Sequence, residues 1–371
     1  MEKVKLGDVS KLINGDRGKN YPSQADITED GEIPLVNAGH LNGREIDFSE
    51  MNFISQDKYD NLRSGKFQEG DILYCLRGSL GKKAFVSNDV NGAIASSLVI
   101  IRPDKEKVDG EYLMFALDSP AIKEQLVKAN NGRSQPNLSA ASVREYQVEL
   151  PNISIQKEVV EKLIKVRNII DCRRKELQLL DGFIKARFVE MFGDLRVNSK
   201  GWEIKTFDEL SSLLTDGEHA TPRRTSDGIY LLSARNISNH SLQLDDVDYI
   251  DQDEYYRIAK RVVPQEGDVL ISCSGTVGRC CSVPANLKFQ MVRSVALIRF
   301  NKEINPVFAE YMITSDYLQT QINSYKTASS QANLFQGKIK ALKGFVPPIE
   351  LQNEFADFVK ASDKSKFGKG V

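Results

Sequence analysis

Histidine is nearly missing from this chain: three residues, at 40, 219 and 240, serve all 371 positions. They stand in no nucleophile–base or metal-ligand arrangement, which excludes the His-centred hydrolases and zinc hydrolases. Cysteine is sparse too. The five at 75, 172, 273, 280 and 281 form no Cys-x-x-Cys pair and have no His at ligand spacing. They read as reduced thiols, neither a disulfide framework nor a metal site. No apolar run approaches the ~20 residues that span a bilayer, and residues 1–6 lack the apolar stretch of a signal peptide. The expectation is a cytoplasmic protein with no membrane partner. Excess positive charge is also absent, with a net charge of −1, whereas nucleic-acid binders usually show a basic surplus. Residues 1–150 carry −4, residues 151–200 carry +4 and the remainder −1. Any binding of a polyanion therefore rests on local clusters or on a partner's charge.

Signatures of catalysis are missing as well. Gly78-Ser-Leu-Gly-Lys82 and Gly275-Thr-Val-Gly-Arg279 lack the Gly-Lys-Ser/Thr ending of a phosphate-binding loop and read as turns between strands. Asn305-Pro-Val-Phe308 has Val where the Asn-Pro-Pro-Phe/Tyr motif of adenine methyltransferases has its second Pro. No glycine-rich turn after an early strand is present to hold a methyl donor. The chain reads as one that binds and does not catalyse, with no metal of its own.

What the chain does have is repetition. Gly132-Arg-Ser-Gln-Pro-Asn-Leu138 returns as Ala328-Ser-Ser-Gln-Ala-Asn-Leu334, an offset of 196 residues, and Leu150-Pro-Asn-Ile-Ser-Ile-Gln156 returns as Val346-Pro-Pro-Ile-Glu-Leu-Gln352 at the same offset. Glu69-Gly-Asp-Ile-Leu73 matches Glu266-Gly-Asp-Val-Leu270, and Ile101-Arg102 matches Ile298-Arg299, one residue further on. Repeats this long are tandem domains, and the length accommodates two of ordinary size. Each copy reads as short β-rich runs punctuated by Gly, then a helical stretch at 110–129 or 306–324.

Between the copies, residues 154–192 contain no Pro and a single Gly, at 182. Val159, Leu163, Val166, Ile170, Leu177, Leu180 and Ile184 recur at alternating four-three spacing, with Arg173 and Arg187 at two further seam positions. That pattern predicts a long helix packed against another helix. About 38 residues at 1.5 Å each make a rod of ~57 Å. The second copy opens the same rod at Leu351-Gln-Asn-Glu-Phe355, but about twenty residues of it are absent before 371.

Two globular repeats, each followed by a helix opened by Pro-x-Ile-x-x-Gln, resemble the specificity subunit of Type I restriction–modification systems. The resemblance covers essentially the whole chain. It is carried by Asp216-Gly-Glu-His-Ala-Thr-Pro222, Gly228-Ile-Tyr-Leu-Leu-Ser-Ala-Arg-Asn-Ile237, Glu266-Gly-Asp-Val-Leu270 and Ser329-Ser-Gln-Ala-Asn-Leu334, in duplicated order around the rod. It implies an α+β fold with two similar mixed α/β target-recognition domains in tandem, at 1–150 and 196–347. Long helices at 151–195 and 348–371, the second shortened, would form an antiparallel coiled-coil spacer. Each domain would read one half of a bipartite double-stranded DNA target, and the helix pair would fix the gap. Two adenine-N6 methyltransferase subunits would dock on the chain, and restriction/translocase subunits would complete the complex. The chain itself would hold no cofactor, S-adenosylmethionine and ATP belonging to the partner subunits. With the second rod short, 350–367 would cover 175–192 and leave Val159, Leu163, Val166 and Ile170 exposed. Such seams seldom stay empty, so a methyltransferase subunit or another copy of the chain is expected there. The rival readings are a scaffold that binds proteins without reading DNA, and a truncated, inactive specificity subunit.

Contacts to DNA need groups that reach base edges and cations that hold phosphates. In the second domain the candidates are His219, Thr221, Arg223 and Arg224, around Pro222. Their first-domain counterparts are Arg17, Lys19, Asn20 and Tyr21. The shared tract adds Arg133, Ser134 and Gln135, and Ser330 and Gln331; its presence in both copies favours phosphate positioning or structure over base readout. Single arginines beside strands, Arg77, Arg235 and Arg293, complete the set.

Overall fold

A computed structural model describes residues 2–87, 90–130, 136–325 and 333–366, with side chains to 362. The chain packs as two units, 1–172 and 173–371.

Each unit is built on one four-stranded antiparallel sheet. In unit 1 its order is Ser10–Asn14, Leu98–Pro103, Ile72–Cys75, Lys83–Phe85; in unit 2 it is Ser211–Asp216, Val295–Phe300, Val269–Ser272, Cys280–Ser282. The central strands are apolar along their length because both faces are covered. Successive strand residues point to opposite faces, and the cores divide accordingly. Ile72 and Tyr74 join Leu113 and Ile122 of the helices, while Leu73 and Cys75 join Val36, Phe67 and Ile94 of a second sheet. In that second sheet Ile33–Val36 runs parallel to Gly92–Ile94, as Ile229–Leu232 does to Phe289–Met291. The copies differ at its edge: Lys66–Phe67 extends it beside Gly92–Ile94, whereas Arg224–Thr225 extends it on the other side, beside Asp248–Ile250. A two-stranded ribbon closes each unit, Glu2–Lys5 with Gln147–Leu150 and Glu203–Thr206 with Lys343–Val346.

The repeated phrases turn out to be internal fastenings. Asp71 of Gly-Asp-Ile is buried and receives both Nε and a terminal nitrogen of Arg102, each at 2.7 Å. Asp268 and Arg299 repeat the fork at 2.7 and 2.8 Å. Paired forks of this kind are directional and strong. The Gln of Pro-x-Ile-x-x-Gln is fully buried in both copies. Gln156 accepts from the Asp109 N–H at 2.8 Å and donates to the carbonyls of Lys107 and Pro151. Gln352 accepts from the Asn305 N–H at 2.9 Å and donates to those of Glu303 and Pro347. Every partner obeys the 196-residue offset.

Two expectations need correction. The helical stretch 110–129 is two helices, Gly110–Ala116 and Pro120–Ala129, and 306–324 is likewise Pro306–Thr314 and Asp316–Tyr325. Ser119 is extended and its hydroxyl caps Ile122, with Pro120 at the first helical position. Both features start a new helix and cannot continue an old one.

The rod is the 40-residue helix Ile153–Phe192. Along its apolar stripe Val159 is half-buried, Leu163, Val166 and Ile170 are exposed, Leu177 and Leu180 are half-buried, and Ile184 is buried. Within unit 2 the helix Ile349–Lys366 runs antiparallel to the end of the rod. Arg187 meets Glu354 at 3.1 Å and Phe183 meets Phe358 at 5.4 Å between ring centroids, so rising numbers on one helix face falling numbers on the other. The rod's final turns are more than a seam, because Phe188 and Phe192 enter the core of unit 2 beside Phe308. Among the described residues no helix is long and apolar enough to cross a membrane.

Cys75, Cys273, Cys280 and Cys281 are buried and Cys172 is exposed on the rod. Burial pushes the Cys273 thiol up to about 12, and the other three upward as well. Since the thiolate is the reacting form, Ellman's reagent at pH 8 is expected to titrate one thiol in the native chain and all five after denaturation. More than one fast native thiol would contradict this packing.

Candidate nucleic-acid interface

In unit 2 the loop after Ser211–Asp216 meets the end of the strand Val269–Ser272 and residues 333–336, and in unit 1 the end of the strand Ile72–Cys75 meets residues 137–138. Backbone pairing builds the place. Leu76 donates to the Ser97 carbonyl and accepts from Leu138, and Cys273 does the same with Ser294 and Leu334, all at 2.8 Å. Arg77 and Ser274 thereby lie opposite Asn137 and Asn333. Gly217 passes so close to the Met291 carbonyl that a Cβ would stand 2.4 Å from it. Only glycine permits that approach, and it swings the following loop over the strand end.

In unit 2 these segments line one polar cleft, with Asp216, His219, Ser274, Arg293, Asn333 and Gln336 in its wall. His219 Nε2 lies 2.8 Å from an Asp216 carboxylate oxygen, and Arg261 pairs with the other. In unit 1 the loop is pinned at buried Asp16, which accepts from the N–H groups of Arg17 and Arg63 at 2.7 Å. Tyr21 is brought to the equivalent strand end, its hydroxyl accepting from the Ser96 N–H at 3.4 Å.

The sequence candidates separate into two groups. His219 and Arg293 line the cleft together, while in unit 1 Tyr21 reaches the Ser96 N–H and Arg77 lies opposite Asn137. Arg17 and Lys19 are exposed on the same loop and Asn20 is half-buried. Thr221 is exposed beyond the cleft lining. Arg223, Arg224 and Arg235 gather elsewhere, at the edge of the second sheet, each already on a carboxylate. Arg223 holds Asp251 at 2.7 Å, while Arg224 and Arg235 share Asp248 at 3.0 Å. The Glu254 N–H, and after it Arg223, keep the Asp251 carboxyl below its ordinary range. By contrast Arg17, Lys19, Arg77 and Arg293 carry no ion pair among the described residues. Arg133, Ser134, Gln135, Ser330 and Gln331 lie outside the described residues. Reasoning from sequence missed Ser274, Asn333 and Gln336. The repetition of Asn137 as Asn333 was the available signal, overshadowed by the neighbouring Gln.

Among the described residues no cluster of His, Cys, Asp and Glu could hold a metal ion. The cleft offers a guanidinium, an imidazole, a carboxylate, two hydroxyls and two amides. Guanidinium, imidazole, hydroxyl and amide groups are the kinds of donor and acceptor that meet phosphates and base edges.

The comparisons agree with one another. A family model for the Type I restriction modification DNA specificity domain matches residues 1–181 and again 200–368. The specificity subunit of the Type I restriction enzyme EcoBI from Escherichia coli is 25% identical over 171 residues, 46% of this chain and 36% of that protein. The putative MjaX specificity subunit from Methanocaldococcus jannaschii is 22% identical over 358 residues, 89% of this chain and 80% of the other. The crystal structure of the Type I restriction–modification S subunit from M. genitalium shares the fold, with a TM-score of 0.57 at 14% identity over 98% of this chain and 90% of that one. With the specificity-domain model matched twice and the fold built twice, the chain belongs to the Type I restriction–modification DNA specificity family.

Proposed function

We propose that this chain is the DNA-reading, non-catalytic subunit of a Type I restriction–modification complex, each unit reading one half of a bipartite duplex target. The observation that carries the proposal is the same strand-end site built twice from equivalent backbone, with different side chains: Arg293 and His219 in one copy, Tyr21 and Arg77 in the other. Equivalent scaffolds with different reading groups suit two unlike half-sites. Methyltransferase subunits docked on the helices would bring S-adenosylmethionine to the adenines, and restriction/translocase subunits would bring ATP.

Arg293→Ala is expected to weaken binding of the assembled complex to its target about 10-fold, in line with ~1–3 kcal/mol for a good contact to a base. If Arg293 instead holds a phosphate, the slope of log affinity against log salt falls by about 0.9. Arg77→Ala is expected to act on the other half-site. Arg223→Ala and Arg224→Ala weaken binding less, since their guanidiniums already serve Asp251 and Asp248. Electrophoretic mobility shift with half-site substitutions in the DNA checks all four. Binding insensitive to salt and to these variants would mean a protein scaffold that does not read DNA.

A further inference from the structure

The loop after the first sheet strand begins at the same register in both units. Asn14 pairs with Val99 and Asp216 with Ala296, positions that share the spacing of Ile101 and Ile298. The next residue is glycine in each copy. A Cβ there would stand 3.1 Å from the Ile94 and Ala95 carbonyls, or 2.4 and 2.5 Å from those of Met291 and Val292. An acidic residue follows and ties the loop's own backbone: Asp16 accepts from the Arg17 N–H at 2.7 Å, and Glu218 from the Ala220 N–H at 2.8 Å. The fourth position therefore corresponds too, and it holds Arg17 in unit 1 and His219 in unit 2.

The surroundings of that fourth position differ. Asn14 is neutral, and Arg17 is exposed with no ion pair among the described residues. In unit 2 one oxygen of Asp216 receives Arg261, just beyond the helix Gln252–Ala259, and His219 Nε2 lies 2.8 Å from the other. The backbone beside His219 is fixed as well. Glu218 donates its N–H to the Met291 carbonyl at 2.9 Å and accepts from the Arg293 N–H at 3.0 Å. A carboxylate held by a guanidinium only accepts, so the ring's hydrogen sits on Nε2. A neutral imidazole then keeps its lone pair on Nδ1, which meets no donor among the described residues.

We infer that Asp216 is a positioning residue for base readout: braced by Arg261, it holds His219 as a hydrogen-bond acceptor. This register then reads an exocyclic amine, adenine N6 or cytosine N4, in unit 2, where Arg17 reads guanine in unit 1. An acceptor meets those amines in the major groove, and a guanidinium meets guanine O6 and N7. The base assignment rests on the proposal that the units read DNA; the state of the ring does not.

Two measurements test the inference. Nitrogen NMR of the full chain, isotopically labelled at histidine and held at about pH 8, follows the three rings. The ring whose signals His219→Gln removes is expected to be protonated at Nε2 alone, and Asp216→Asn to reverse or mix that tautomer. The second measurement is N6-methyladenine mapping with the double variant Asp216→Asn, His219→Arg, which gives unit 2 the residues that unit 1 carries at these registers. One adenine or cytosine of one half-site is expected to become guanine, the original base losing at least ~10-fold in preference. The other half and the gap stay unchanged. A ring protonated at Nδ1 or at both nitrogens, or a motif that the double variant leaves as it was, overturns the inference while the DNA-reading proposal stands. Failure of that proposal looks different: the wild-type chain gives no two-part motif although His219 carries its hydrogen on Nε2, and the base assignment falls with it.

Discussion

Phe188→Ala is expected to lower the stability of unit 2 by about 3–5 kcal/mol, the range for truncating a buried phenylalanine. The cost is large because its ring touches four others: Phe192 on the rod itself, Phe308 and Tyr311 on Pro306–Thr314, and Phe355 on Ile349–Lys366. Aromatic pairs add about 0.5–1.5 kcal/mol each beyond buried area, and relaxation cannot refill a space bounded by so many rings. Calorimetry should show the unit 2 transition moving down while the unit 1 transition stays in place. Equal movement of both transitions, or of neither, would mean that the rod's last turns are not part of the unit 2 core.

The second large effect concerns the glutamines. Gln352→Leu leaves the Asn305 N–H and the Glu303 and Pro347 carbonyls without their buried partner. An unmet buried polar group costs ~1–3 kcal/mol, so about 3 kcal/mol or more is expected even with partial relaxation. Gln156→Leu should do the same to unit 1. Glu is no substitute at either position, because a carboxylate cannot donate to two carbonyls. Each variant should shift one calorimetric transition. Harmless substitutions at both positions would refute the role assigned to the repeated Pro-x-Ile-x-x-Gln phrase.

Much of this architecture was legible in the sequence because the chain states it twice. Gly-Asp-Ile-Leu and Ile-Arg recur together since Asp71 needs Arg102 and Asp268 needs Arg299, two phrases about thirty residues apart joined by one fork. The rod was legible from its four-three spacing and its lack of Pro. Spacing alone could not tell a helix–helix seam from a domain core, which is why Phe188 and Phe192 went unremarked; both lie off the heptad stripe and face Phe308. The break at Ser119–Pro120 was hidden by continuous apolar periodicity on either side, although the Ser-Pro pair is itself a helix-start signal.

The candidate interface was legible by segment and not by residue. Position in the loop after the first strand pointed to His219, which the fold sets in the wall of the unit 2 cleft, yet the same segment supplied Arg223 and Arg224, which the fold turns toward Asp251 and Asp248. Those carboxylates come from the strand Asp248–Ile250 and its following turn. No local pattern announces that pairing, because it depends on which edge of the second sheet Arg224–Thr225 joins. That edge is where the two copies diverge.

The bipartite reading is tested most directly by genome-wide mapping of N6-methyladenine in cells carrying this chain together with a Type I methyltransferase subunit, compared with cells lacking only the chain. A two-part motif with a fixed gap is expected to appear only with the chain. Arg293→Ala should relax one half of it, with the gap unchanged. A contiguous motif, or a motif present without the chain, would contradict the claim that each unit reads one half of a bipartite target.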